Sequence, residues 1–173
     1  AADRMITPNT SVVFNSRLER SGLDYTGQTD SEDFPLNFNV ADWFCGGNIS
    51  LINKLDFDTS VYFSVSRGYL PGGINQHPKL DTNNRRYHPE YMTNLEIGYK
   101  WLASDFAIQT SLFHAFRSDQ QVSLSTQQDR GDPNSFFYYR ANAAKGRNSG
   151  IEIDTNELSL NLGASSITGT LAV

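Results

Sequence analysis

The chain has 173 residues, a formal net charge of −5 and a mean hydropathy of −0.46, with 38% hydrophobic residues and aromatics at 12%. Its hydrophobic share lies below the roughly 45–50% of an ordinary globular domain, and no run approaches the ~18 apolar residues of a membrane helix. That excludes a helical membrane protein and leaves a β-barrel open, because barrel strands are only half apolar, while the acidic balance gives no reason to expect nucleic acid as a partner.

The first ten residues, AADRMITPNT, contain no basic region followed by an apolar core, so no secretory signal is expected there. Seven segments then alternate apolar and polar residues with the period of a strand that has two different faces. The first covers about residues 11–20, with Val12, Phe14 and Leu18 opposite Asn15, Arg17 and Glu19. Within the second, about 43–55, Ile49, Leu51 and Leu55 oppose Asn48, Ser50 and Lys54; it also holds Cys45. As the single cysteine, Cys45 rules out an intrachain disulfide or a thiolate metal cluster and is expected as a small packed residue. The third sets Val61, Phe63 and Val65 against Tyr62, Ser64 and Ser66 before running into Arg-Gly-Tyr-Leu-Pro-Gly-Gly.

The fourth, YMTNLEIGYKW, sets Tyr91, Leu95, Ile97, Tyr99 and Trp101 against Asn94, Glu96, Gly98 and Lys100. The fifth is the longest, from Phe106 to Leu124, with Phe113 and His114 each on the wrong face. The sixth opposes Ile151 and Ile153 to Gly150, Glu152 and Asp154, and the seventh alternates Leu158, Leu160 and Leu162 with Ser159, Asn161 and Gly163. A turn is expected between these two at Asn156-Glu157, and a bulge near Ser165 and Ser166, where the parity slips. The closing SITGTLAV ends in a strand-like run without a polar tail, which makes a fragment the expectation.

The connections carry more information than the strands. Asp56-Phe57-Asp58, Leu102–Asp105 and Asn156-Glu157 are short, whereas residues 21–42, 70–90 and 125–146 are long, and the two kinds alternate. In an up-and-down antiparallel sheet this puts every long connection at one end. An outer-membrane barrel has tight periplasmic turns and long external loops for that reason, whereas a soluble sandwich has no cause to sort its loops. Tyr91 and Trp101 share a face and lie roughly 33 Å apart along a strand at ~3.3 Å per residue, which a tilt of about 40° turns into ~25 Å of height, the spacing of two aromatic girdles. The expected fold is therefore all-β: about seven strands of an antiparallel, up-and-down transmembrane barrel, in which Pro71, Gly72 and Gly73 fall where the chain meets water again.

Four stretches, VYFSVSRGYLPGGIN, PEYMTNLEIGYKW, SLFHAFRSDQQVSL and NSGIEIDTN, follow one another in the chain. In order and spacing they resemble the barrel of TonB-dependent outer-membrane receptors, in the style of the ferric-siderophore group of yersiniabactin/pesticin type. The matching positions are Tyr62 to Asn75, Pro89 to Lys100, Phe116 to Gln121, and Gly150 with Glu152, and the resemblance covers about residues 10–173. It implies a 22-stranded barrel around an N-terminal plug, with residues 1–173 a partial barrel domain lacking plug, coupling segment and remaining strands. It further implies that the parent protein takes up a scarce ligand, most often a ferric siderophore, in an energised step driven through the TonB coupling protein.

In that picture Arg17, Glu19, Glu96, Lys100 and Glu152 face the lumen and meet the plug, or simply line a wet interior. The stretch NNRRYH gathers Arg85, Arg86, Tyr87 and His88, and SFFYYRANAAKGR gathers Tyr138, Tyr139 and Arg140 beside Phe136, Phe137, Lys145 and Arg147. Guanidinium forks with flat rings suit an anionic, aromatic ferric siderophore; the plain alternative is a solvated loop or one that touches lipopolysaccharide. A metal site from His77, Asp81 and His88 is not expected, since its spacing is irregular and its loop open. No nucleophile and base stand together, so neither an enzyme nor a bound cofactor is expected. Two other classes compete with the receptor: a passive porin-like channel, which would lack a plug, and a secreted β-sandwich binding module, which would stay soluble without detergent.

Overall fold

A strand whose side chains alternate in character has nowhere to bury its apolar half unless neighbours align theirs in the same direction. The computed structural model shows how the chain does this; it describes residues 2–28, 35–77, 80, 82–103, 106–127, 129–162 and 165–172, from 156 onward by backbone alone. Its strands are β1 (Ala2–Thr7), β2 (Thr10–Gln28), β3 (Pro35–Lys54), β4 (Thr59–Leu70), β5 (Gly73–Ile74), β6 (Arg86–Tyr87), β7 (Glu90–Ala103), β8 (Phe106–Gln127), β9 (Phe136–Leu162) and β10 (Ser165–Ala172). Eight of them form one sheet in the order β1-β2-β3-β4-β7-β8-β9-β10, while β5 and β6 make a small hairpin with a 3-10 turn at Thr82–Asn84 between them. Every pairing is antiparallel and the strands of the large sheet stand in chain order, with only the β5–β6 hairpin set between β4 and β7, so the up-and-down expectation holds.

Register aligns the two faces row by row. Phe63 stands opposite Ile97, Ile97 opposite Leu112, and Leu112 opposite Ile151. On the other face Tyr62, Gly98, Ser111 and Glu152 form the corresponding row. The apolar row is left bare: Phe63 is 46% and Ile151 61% exposed, and buried hydrophobics are confined to Phe44, Leu80, Ala115 and Phe137 among the described residues. No second layer of described residues covers that face; apolar rows this continuous need lipid or another protein surface.

Five expectations need correction. Cys45, expected as a small packed residue, is exposed, opposite Leu18 on the outward face. The large sheet has eight strands rather than seven, because Ala2–Thr7 turns at Pro8-Asn9 and pairs with β2. No turn lies at Asn156-Glu157: β9 runs straight through to Leu162. There Gly169 opposes Leu158 and Leu171 opposes Thr155, so residues 156 and 157 face Thr170 together, which is a bulge. The reversal falls instead between Leu162 and Ser165, which pair with each other, so the parity slip near Ser165 marks a turn. Bulge and turn both invert parity, and the sequence pattern alone interchanges them. Finally, the segments 21–42 and 125–146 are mostly strand, since β2 reaches Gln28, β3 starts at Pro35, β8 reaches Gln127 and β9 starts at Phe136.

Strands of 20, 22 and 27 residues in β3, β8 and β9 far exceed the roughly 9–11 that cross a bilayer. Their outer parts stand in water, where polar side chains on both faces erase the alternation but the backbone ladder persists. Long and short connections still sort by end: residues 8–9, 55–58, 104–105 and 163–164 at one, 29–34, 71–89 and 128–135 at the other.

Two glycines on the polar face receive rings from the next strand. A Cβ on Gly98 would lie 2.2 Å from the ring of Tyr62, and one on Gly150 would lie 2.8 Å from the ring of Phe113. Each ring covers bare backbone across the strand pair, an arrangement that pins register. It also explains why Phe113 sits on the polar face.

Candidate functional site

The polar face carries two clusters. In the lower one the Tyr62 hydroxyl donates to Glu96 Oε1 at 2.5 Å, Asn94 Nδ2 donates to Glu96 Oε2 at 3.3 Å, and Lys100 Nζ lies 5.7 Å from the Tyr62 ring centre. Glu96 and Lys100 are thereby drawn to one tyrosine. Glu152 stands exposed three strands away from that tyrosine, in its row.

In the upper cluster Arg17 and Glu19 form an ion pair, and the Tyr69 hydroxyl donates to Glu19 Oε2 at 2.9 Å. Tyr69 stands opposite Tyr91 in register, yet its ring stacks on Phe44 with centres 4.8 Å apart. Gly46 makes this possible, because a Cβ there would meet the Tyr69 ring at 3.1 Å and the Arg67 carbonyl oxygen at 3.0 Å. Phe44, only 1% exposed, is the most enclosed large side chain described.

At the long-connection end the described residues between β4 and β7 fold down on the outer part of β8 and β9. A buried or half-buried loop must place its backbone polar groups on something, and here three side chains take them. Gln121 Nε2 donates to the carbonyls of Pro71 at 2.9 Å and His88 at 3.2 Å. Asn142 Nδ2 donates to His88 O at 2.9 Å and Asp119 O at 2.7 Å, while its Oδ1 accepts from the His88 N–H at 2.7 Å. Asn75 Nδ2 donates to the carbonyls of Asn84 at 2.9 Å and Arg140 at 2.7 Å, and its Oδ1 accepts the Arg140 N–H at 2.8 Å. The buried carboxylate of Glu90 accepts the Gln121 N–H at 2.9 Å and pairs with Arg117 at 3.3 Å. Asp119, with φ 54°, takes a left-handed backbone conformation at this level of β8.

The loop leaves no room for side chains at its glycines: a Cβ on Gly72 would fall 2.5 Å from the Tyr87 carbonyl oxygen, and one on Gly73 2.3 Å from the Tyr87 hydroxyl.

Docking of the loop brings the two stretches singled out for ligand chemistry onto one external patch. Arg140 lies over the Tyr87 ring at 5.9 Å, with Arg86 and His88 exposed beside it. His77 stacks on Phe137 at 4.0 Å, and Tyr139 lies 6.2 Å from Phe137. Arg85 points the other way: it is 5% exposed and its Nε donates to the Leu80 carbonyl at 3.1 Å, within the loop itself. Tyr138, 77% exposed, stands apart. Asn75, Glu90, Gln121 and Asn142 escape a search for ligand chemistry, although all four lie in stretches quoted above; their work is to hold carbonyls and amides. Among the described residues no three His, Cys, Asp or Glu side chains could share a metal ion, and Asp81 lies outside the described residues.

The chain's relatives agree with this geometry. A family model described as "TonB dependent receptor-like, beta-barrel" matches residues 4–171. The pesticin receptor of Yersinia pestis is 26% identical over 104 residues, which is 60% of this chain and 16% of that protein. Its counterpart in Yersinia enterocolitica is 25% identical over the same share. Among solved structures the sheet matches the ferric yersiniabactin uptake receptor FyuA from Yersinia pestis with a TM-score of 0.67 at 22% identity, over 96% of this chain and 24% of that one. It matches the ferric-catecholate import receptor Fiu of E. coli with a TM-score of 0.61 at 17% identity, over 98% and 26%. The copper transporter OprC matches with a TM-score of 0.67 at 14% identity, over 98% and 28%. The chain thus spans about a quarter or less of each of these proteins, and it belongs to the TonB-dependent receptor β-barrel family.

Proposed function

We propose that the chain is part of the barrel of an outer-membrane receptor that takes up a ferric siderophore in an energised step coupled to TonB. The observation that carries the reading is the docked external loop, which sets Arg86, Tyr87, His88 and Arg140 together at the long-connection end. An anionic, ring-bearing iron complex suits guanidinium edges and aromatic faces held in fixed relation. Gln121, Asn142 and Asn75 supply that fixity, so the patch orders little on binding. On the polar face Glu19 and Glu96, each held by a tyrosine hydroxyl, present carboxylates to a plug domain.

Uptake of radiolabelled iron in cells that lack and then regain the full-length gene tests the reading, with a panel of phenolate, catecholate and hydroxamate ferric siderophores and cupric ion. The receptor reading expects uptake of one ferric siderophore to depend on the gene and to stop when a protonophore collapses the membrane potential. Arg140→Gln should raise its half-saturation concentration about tenfold, the scale of one charge-assisted contact. Uptake that persists in de-energised cells would instead make the protein a passive channel.

A further inference from the structure

Reading the outward face row by row shows where its apolar character stops. From the short-turn end the rows run Trp101 with Ile108, then Val61 with Tyr99, then Phe63 with Ile97 and Leu112, then Val65 with Leu95, a row that His114 and Ser149 already make polar on β8 and β9. The next row is Arg67, Thr93, Phe116 and Arg147, and beyond it Lys145 lies opposite Ser118, which is opposite Tyr91. Three cations therefore appear together, on the lipid-directed face, just where that face leaves the apolar band. Arg67, Tyr91, Thr93, Phe116, Lys145 and Arg147 surround one open depression of about 350 Å³. Its described lining includes no carboxylate; Arg117, which also borders it, is already paired with Glu90.

Arg67 stacks its guanidinium 4.8 Å from the Tyr91 ring, which uses the flat face and leaves the N–H edge for an anion. Two strands along, Arg20 lies over Trp43 at 5.9 Å in the same outward orientation, so the pairing of cation with ring recurs along the rim. Aromatic rings at this height sit at the level of lipid headgroups. Cations there meet the phosphates of those headgroups rather than bulk water.

We propose that Arg67, Lys145 and Arg147, together with Tyr91, form a binding site for the bisphosphorylated sugar headgroup of the outer-leaflet glycolipid. Arg67 and Arg147 stand three strands apart in one row, roughly 14 Å at ~4.8 Å per strand. That separation suits phosphates at the two ends of a disaccharide better than a single phosphate. The site rests on the barrel reading, which makes the long-connection end external, and it is distinct from the ligand patch on the docked loop.

Native mass spectrometry of the detergent-solubilised full-length receptor, titrated with diphosphoryl lipid A and with its fully dephosphorylated form, tests it. The wild type should retain the diphosphoryl form at least about tenfold better, as expected for charge-assisted contacts. Combining Arg67→Gln, Lys145→Gln and Arg147→Gln should bring the two forms within about twofold of each other, and Arg147→Gln alone should fall between; these exposed positions tolerate glutamine without disturbing the sheet. Arg130→Gln, an equal loss of charge in the 128–135 connection, should leave the preference intact. A wild type that binds both forms alike, or a triple variant that keeps its preference, overturns the site while leaving the barrel standing. A wild type that takes up neither form likewise overturns the site alone, since the family match stands independently of it.

Discussion

The smallest features explain the most about this sheet. Tyr62 has a hydroxyl bound to Glu96 and a ring laid over Gly98, so its ring cannot swing aside without breaking that hydrogen bond. Gly98→Ala should therefore cost about 1–3 kcal/mol, the usual penalty for overpacking. Gly150→Ala should cost less, because the Phe113 ring it displaces has no polar anchor. Urea midpoints of the full-length receptor in lipid vesicles check the order, and equal midpoints for Gly98→Ala and wild type would refute the interlock. At the short-turn end the Asp56 carboxyl is held below the usual carboxylate range by the Thr59 side chain and by the Asp58 N–H, at 2.9 Å. A depressed folded-state value stabilises the turn above the unfolded value, near 3.9, and that contribution is lost as pH falls through the folded one. Amide exchange at Asp58, corrected for its intrinsic rate, should lose protection below about pH 3.9. In Asp56→Asn that pH dependence should vanish; a carboxylate this exposed makes the effect small, and a variant that still follows the wild-type curve would exclude Asp56 as its source.

Elements differ in how much of themselves they write into the sequence. β4 and β7 are plain, because one face meets an apolar medium and the other water, and the inner part of β8 follows them except at Phe113 and His114. β1 goes unread because its few residues before Pro8-Asn9 are exposed throughout and carry no alternation strong enough to mark a strand. β9 misleads because its bulge at residues 156 and 157 inverts parity as a turn would. The docked loop is half legible: its arginines and rings announce ligand chemistry, but Arg85 turns inward, and only three-dimensional accounting of backbone polar groups reveals Gln121, Asn142 and Asn75 as its anchors. Gln121→Ala removes two hydrogen bonds to loop carbonyls and should loosen docking by about 1–2 kcal/mol without moving the sheet. Hydrogen exchange should rise in residues 73–87 and stay unchanged in β7; equal exchange in both variant and wild type would show that the loop is held by other means.

At the scale of the molecule, eight strands in chain order leave β1 and β10 as sheet edges, and a bilayer tolerates no unpaired edge. Closure therefore has to come from further strands, in keeping with a match that covers only a quarter of the yersiniabactin receptor. The central claim is that one face of this sheet meets lipid and the other a water-filled lumen. Single cysteines bearing a nitroxide, placed in the otherwise cysteine-free full-length receptor in its membrane, test it position by position. At Phe63, Ile97, Leu112 and Ile151 the label should be relaxed by oxygen, and at Ser64, Glu96, Ser111 and Glu152 by a water-soluble nickel chelate. The two profiles should alternate with a period of two along β4, β7, β8 and β9. Nickel access at both sets, with no alternation, would contradict the account.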